Sequence, residues 1–258
     1  MKEKGLGAGA WLRGAQAELP CTTRPAEALG GDGPLLALAP HPDDESLGCG
    51  ALLAACAAEG RPVHVVVVSD GRLSHPNSRS HPPARLVALR QAEARAAVAE
   101  LGLDPARDLS FLGLPDCGVP AGGAELRDAV ARLRRLVPFA PAVVLGPWRH
   151  DPHADHAATA AIAAALATEC GARLRSYVVW GWAFVTPPPG FELGAEPEPE
   201  GQPLGWRYAA GAHLDAKRRA VAAHRSQTSP LITDDPAGFR LGPEALALFQ
   251  QPEELVLA

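Results

Sequence analysis

Short aliphatic and β-branched runs alternate with segments of helical period along this chain, and that alternation leaves few folds open to it. Leu35 to Ala39 is an apolar run ending at Pro40, and Val63 to Val68 is apolar apart from His64, as suits strands buried on both faces. Between them Leu47, Ala51, Ala54 and Ala58 fall at helical spacing, with Gly60 as the stop signal. The pattern recurs: Leu86 to Leu101 as helix closed by Gly102, Leu109 to Leu112 as strand, Ala124 to Val137 as helix, Ala142 to Leu145 as strand, Ala157 to Cys170 as helix closed by Gly171. Alternating elements predict a single α/β domain of Rossmann-like type, a mostly parallel sheet with helices on both faces.

Beyond Gly171 the pattern loosens. Tyr177 to Val185 is aromatic and β-branched enough to predict a strand. Thr186 to Gly205 is crowded with Pro, Gly and Glu and reads as a surface excursion without a domain boundary. Trp206 to Ala210 reads as a strand and Asp215 to Arg225 as a helix, followed by a mixed C-terminal segment; no internal repeat is present. Residues 1–33, rich in Gly, Ala and Pro, are expected to form a loosely structured N-terminal segment ahead of a domain spanning 34–258.

With 258 residues, 47% of them apolar, such a domain can bury a full core unaided. A net charge of −5 and the absence of dense Lys/Arg runs argue against nucleic acid as a partner. Gly5 to Leu12 makes a poor secretory signal, and no apolar run approaches the ~20 residues of a membrane span. Cys21, Cys49, Cys56, Cys117 and Cys170 are an odd number with no C-x-x-C pair, which points to a reducing, cytoplasmic setting.

In doubly wound sheets the binding crevice lies outside the carboxyl ends of the strands. His41-Pro42-Asp43-Asp44-Glu45 falls at one predicted strand end, and the segment from Trp148 to His156, with His150, Asp151, His153, Asp155 and His156, falls at another. Imidazole plus carboxylate is the ligand chemistry of catalytic zinc, which keeps one position open for water, lowers that water's pKa to about 7 and polarises carbonyls. Taken alone, Pro-Asp-Asp-Glu is equally well a turn and an acidic first helical turn. Two such clusters at equivalent strand ends favour the metal.

Ala39-Pro40-His41-Pro42-Asp43-Asp44-Glu45-Ser46-Leu47-Gly48-Cys49-Gly50 and Pro152-His153-Ala154-Asp155-His156 closely resemble the motifs of the PIG-L/LmbE family of zinc-dependent N-deacetylases. Between them Arg90 to Glu93 matches the family's R-x-x-E helix and Leu114-Pro115-Asp116 its L-P-D loop; Lys217 and Ala223-His224-Arg225-Ser226-Gln227 resemble its K…A-H-x-S-Q segment. The resemblance implies zinc, or another divalent metal, on His41, Asp44 and His156, with Asp43 as general base. It implies that His153 steadies the oxyanion and protonates the leaving amine, with Asp155 orienting it. Arg90, Asp116 and His224 would then contact substrate. Ala154 stands where many members have Pro.

Other residues have plainer readings. His64 is expected as a hydrogen-bonded core histidine, His75 and His81 as loop residues, and His150 as at best a neighbour of the ligands. Cys49 and Cys56 share a helix face and should pack as apolar groups. Gly48-Cys49-Gly50 lacks the third glycine of a dinucleotide fingerprint, and neither H-E-x-x-H nor G-x-S-x-G occurs. The resemblance therefore implies hydrolysis of an N-acetyl group from a small-molecule amino sugar or its conjugate. Rival expectations are a zinc amidase acting on a non-sugar amide or thiol conjugate, a non-catalytic sugar-binding protein of this fold, and a nucleotide-binding module. Oligomeric state is left open.

Overall fold

Successive residues of a strand point to opposite faces, and because both sets are apolar in the central strands, the sheet must be covered on both sides. A computed structural model describes residues 6–187 and 193–258 of the chain. In chain order the elements are α1 (Ala8–Glu18), β1 (Cys21–Thr22), α2 (Pro25–Leu29), β2 (Leu35–Ala39), α3 (Asp44–Ala58), β3 (Val63–Ser69), α4 (Pro83–Glu100), β4 (Leu109–Leu114), α5 (Gly123–Leu136) and β5 (Val143–Pro147). There follow α6 (Ala154–Cys170), β6 (Arg173–Tyr177), a 3-10 turn (Trp180–Phe184), β7 (Gly205–Ala209), a second 3-10 turn (Gly211–His213), α7 (Leu214–Ala223), α8 (Arg225–Thr228), α9 (Pro243–Phe249) and β8 (Glu253–Leu257). Leu35, Ala37, Ala39, Val63, Val65 and Val67 pack against α3, α4 and α7. Leu36, Leu38, Val66, Val68 and Val144 face α5 and α6 on the other side.

The eight strands run in the order β1-β7-β8-β6-β5-β2-β3-β4. All neighbours are parallel except β8, which lies antiparallel between β6 and β7. The expected mostly parallel sheet is therefore present, with its one antiparallel strand drawn from the C-terminal segment. Because β2 pairs with β3 on one side and with β5 on the other, the chain reverses its winding there. The crevice of a doubly wound sheet opens at such a switch point.

Two expectations need correction. Residues 8–29 of the segment expected to be loose form α1, β1 and α2. Trp11 stacks on Trp148 with ring centroids 5.6 Å apart, and Leu12 and Ala15 are fully buried beside it. Ala8, Leu12, Ala15 and Leu19 follow helical spacing, but intervening glycines obscure it; residues 1–5 lie outside the described residues. The predicted strand from Tyr177 to Val185 ends at Tyr177, and Trp180–Phe184 turns as a 3-10 helix, because Asp151 Oδ2 accepts the N–H groups of Trp180 (2.8 Å) and Gly181 (3.2 Å). Part of the predicted excursion, residues 188–192, lies outside the described residues.

The glycines that suggested a nucleotide loop serve packing. A side chain on Gly48 would collide with the Tyr177 ring, whose hydroxyl donates to the Leu38 carbonyl (2.8 Å), and one on Gly50 would press on the Lys217 stem. Helix α3 breaks its regular backbone at Cys49. The N–H groups of Ala51 and Leu52 beyond the break donate to Glu254 on β8, each at 2.9 Å, and Glu254 pairs with Lys217 of α7 at 2.8 Å. Among the described residues no helix is long and apolar enough to cross a membrane.

Candidate active site and metal centre

Where β2 ends, its extension must turn into α3 within four residues, and the turn falls on Asp43. Its φ of 148° and ψ of −26° belong to a region that side chains rarely adopt. Such a backbone costs on the order of 1–3 kcal/mol and persists only where surroundings enforce it. Here Asp43 N donates to Glu45 Oε2 (3.1 Å), its carbonyl accepts from Ser46 N and Leu47 N, and its carboxylate lies 3.2 Å from Arg90 Nη2. Burial raises the Asp43 pKa to about 6, against the pull of Arg90 and with a push from Asp44.

The end of β5 supplies the opposite wall. His153 caps α6, its Nδ1 accepting Asp155 N at 3.2 Å. That bond fixes the tautomer: an accepting Nδ1 leaves the ring proton on Nε2. Burial, followed by the neighbouring His41 and His156 rings, lowers the His153 pKa to about 4, so the ring is neutral near pH 7.

Asp44 Oδ2 stands 3.2 Å from His41 Nδ1 and 3.1 Å from His156 Nε2. Adjacent donors on a tetrahedral metal stand roughly 3.3 Å apart at ligand distances of about 2.0–2.2 Å. The outward nitrogens of both rings face carboxylates: His41 Nε2 lies 3.2 Å from Asp155 and 3.4 Å from Asp116, and His156 Nδ1 lies 3.4 Å from Asp151. Carboxylates behind metal-ligating histidines are the usual outer support of such centres. His156 is fully buried and its Nε2 makes no hydrogen bond, which fits a nitrogen meant for a metal.

The field has the same sign. Against the opposing effect of burial, Asp116, Asp155 and Asp44 push the His41 pKa well above its ordinary value, and Asp151 and Asp44 push His156 up to about 9. Burial is likewise outweighed at Asp44, held far below the usual carboxylate range by His156 and His41, and at Asp116, held at about 2 by His41. An acid-rich pocket that raises both imidazoles is suited to a divalent cation. His41, His153 and His156 also bring one ring nitrogen each within 4.8 Å of one another, as do donor atoms of His41, Asp116 and Asp155. The Nε2–H of His153 makes that ring a donor to the cleft, whereas a ligand must offer a lone pair.

These residues open on a cleft of about 200 Å³. His41, Asp43, Asp44 and His153 form its reactive end, Arg90, Asp116 and Cys117 one flank, and Leu73, Trp180 and Phe239 an apolar face. Arg90 reaches the wall but spends its donors inside, Nη1 on the Gly71 carbonyl (3.0 Å) and Nη2 on that of Pro42 (2.8 Å). Asp116 accepts Leu73 N at 2.8 Å.

Several sequence-based expectations shift. The Asp155 carboxylate, expected to orient His153, instead faces His41 and accepts Cys117 N (2.8 Å) and Val119 N (3.2 Å). His224, expected to touch substrate, is absent from the cleft wall: it is buried with Nε2 2.9 Å from Glu45 Oε1. His150 takes a hydrogen bond from Arg149 and packs on Trp148, and His75 is buried against Gly238. His64 is a core histidine, 2.9 Å from Ser110 Oγ. Asp151 and Glu45 had no assigned role; Asp151 sits two residues before His153, the one hint that a carboxylate could fold back on the second motif.

Comparison with known proteins gives one family match: the model of the PIG-L family, described as GlcNAc-PI de-N-acetylase, matches residues 36–167. No curated protein matches the chain. Among solved structures, the conserved protein TT1542 from Thermus thermophilus is similar at 30% identity over 75% of this chain and 79% of its own, with a TM-score of 0.51. A deacetylase in the biosynthesis pathway of teicoplanin shares 22% identity over 87% of this chain and 96% of its own, TM-score 0.60. N,N'-diacetylchitobiose deacetylase from Pyrococcus horikoshii shares 20% over 89% and 83%, TM-score 0.53. At those lower identities the likeness is one of fold.

Proposed function

This chain belongs to the PIG-L family, and on that premise we propose that it hydrolyses an N-acetyl group from an amino sugar or its conjugate with the help of a divalent metal, zinc in the first instance. The observation that carries the reading is the pairing of Asp44 with His41 and His156, each ring backed by a carboxylate, beside a carboxylate, Asp43, that no metal centre needs merely to hold its ion. Asp43 also speaks against a non-catalytic sugar-binding protein. The family's description and the acetylated sugar named for the Pyrococcus relative support the substrate class.

His41, Asp44 and His156 would hold the metal, which when bound supplies Lewis acidity to the acyl carbonyl and acidity to water. Asp43, steadied by Arg90, accepts the proton of the attacking water as its oxygen bonds to the carbonyl carbon. His153, which lines the cleft with its proton on Nε2, would donate to the oxygen where negative charge grows. Collapse breaks the C–N bond, and the amine leaves with the proton that Asp43 had taken and now returns, while His153, neutral with its Nδ1 occupied, donates a hydrogen bond without transferring its proton.

The apolar face of Leu73, Trp180 and Phe239 favours a second reading, an amide whose partner is not a sugar. Metal content of the purified protein and amine release from N-acetylglucosamine, its conjugates and apolar acetamides, before and after chelation, separate these. About one zinc per chain and chelator-sensitive release from the sugars are expected. Release confined to apolar amides would move the substrate class, and absence of tightly bound metal would overturn the proposal.

A further inference from the structure

His224, between α7 and α8, reaches the Asp43 backbone through Glu45 without entering the cleft, and Ser226, in α8, holds Glu93 one turn of α4 from Arg90. On one side His224 Nε2 lies 2.9 Å from Glu45 Oε1, which also accepts Ser46 Oγ at 2.7 Å, while Glu45 Oε2 accepts Asp43 N at 3.1 Å. On the other, Ser226 gives its N–H (2.7 Å) and hydroxyl (2.6 Å) to Glu93. Glu93 stands three residues along α4 from Arg90, whose guanidinium holds both the Asp43 carboxylate and the Pro42 carbonyl. Glu45, Glu93 and His224 are all buried.

From this geometry we propose that His224 and Glu45 are positioning residues: they clamp the Asp43 backbone in its positive-φ conformation and so aim its carboxylate into the cleft. The inference rests on the reading of Asp43 as the base. A positive φ at an aspartate relaxes unless its N–H is captured, and Glu45 Oε2 is the acceptor that captures it. Glu45 in turn has its other oxygen fixed by His224 and Ser46, so the carboxylate cannot rotate away. Neither His224 nor Glu45 is among the metal donors His41, Asp44 and His156, so loss of the clamp should disturb catalysis while leaving metal and substrate affinity in place.

The test compares His224→Leu, which keeps bulk and removes the donor, with His224→Gln, which restores an N–H towards Glu45. Metal content, kcat and KM on N-acetylglucosamine or the best amide probe, and a crystal structure of each variant are measured. Expected for His224→Leu are unchanged zinc, unchanged KM, kcat lower by on the order of 10²-fold and an Asp43 φ that leaves the positive region; His224→Gln should recover most of the rate. If His224→Leu is insoluble, His224→Asn, too short to reach Glu45, takes its place. A raised KM with kcat preserved would mean that His224 serves substrate after all, and an unchanged Asp43 backbone would overturn the clamp. If the wild type released no amine from any probe, the deacetylase reading would fail, while the crystal structures would still decide whether His224 holds Asp43.

Discussion

Asp155 Oδ2 stands 3.2 Å from His41 Nε2, so the acid of the second motif orients the histidine of the first across the switch point of the sheet. The same carboxylate is held by the N–H groups of Cys117 and Val119, which fixes the loop after β4 to the centre. Asp155→Asn should therefore weaken zinc binding by about 10–100-fold, the usual range for losing an outer carboxylate. Competition with a chromogenic chelator measures this; an unchanged affinity would mean that Asp155 serves the loop alone.

Asp43→Asn separates base from ligand. The amide keeps the shape but cannot take a proton, so zinc stoichiometry should hold while kcat drops by about 10²–10⁴-fold. His41→Ala should lose zinc itself. Retention of near-wild-type turnover by Asp43→Asn would assign the base to another residue.

Much of this fold could be read from local sequence, in continuous apolar runs for the central strands and in helical spacing for the helices. β2, β3 and α4 were evident because Leu35 to Ala39, Val63 to Val68 and Leu86 to Leu101 carry their own pattern. What resisted reading depends on partners distant in sequence. Trp180–Phe184 has strand composition, and only the Asp151 carboxylate turns it into a 3-10 helix. α1 has helical spacing that its glycines obscure, and its apolar face is completed by Trp148, Val178, Leu255 and Leu257, far away in sequence. In the candidate site, the motifs placed His41, Asp43, Asp44, His153 and His156 near one crevice, but not which carboxylate backs which ring. That pairing is set by how the loops after β4 and β5 cross, as Asp155 and Asp151 demonstrate.

Lys217 and Glu254 form a buried pair that secures the broken helix α3 from β8 and α7. Removing one partner leaves a charge without compensation, so Lys217→Met should destabilise by about 3–5 kcal/mol, whereas Lys217→Met with Glu254→Gln should recover much of that loss. Denaturant unfolding of the single and double variants checks the coupling; additive losses would show that the two residues act separately.

His64 makes stability depend on pH without touching the cleft. Burial lowers its pKa from the ordinary 6.5, against a weaker upward pull from Asp108. Between the lowered folded value and 6.5, the unfolded chain binds a proton that the folded chain refuses, so stability rises with pH across that interval. The folded state is thus unpenalised above the ordinary histidine range and loses stability as pH falls below it. His64→Gln, which can still meet Ser110 Oγ, removes the titration and should flatten the fall in melting temperature between about pH 7.5 and 5 relative to the wild type. Thermal melts of the two proteins across that range decide the point: parallel curves would mean that His64 titrates alike in the folded and unfolded chain, and that its place beside Ser110 leaves its proton affinity unaltered.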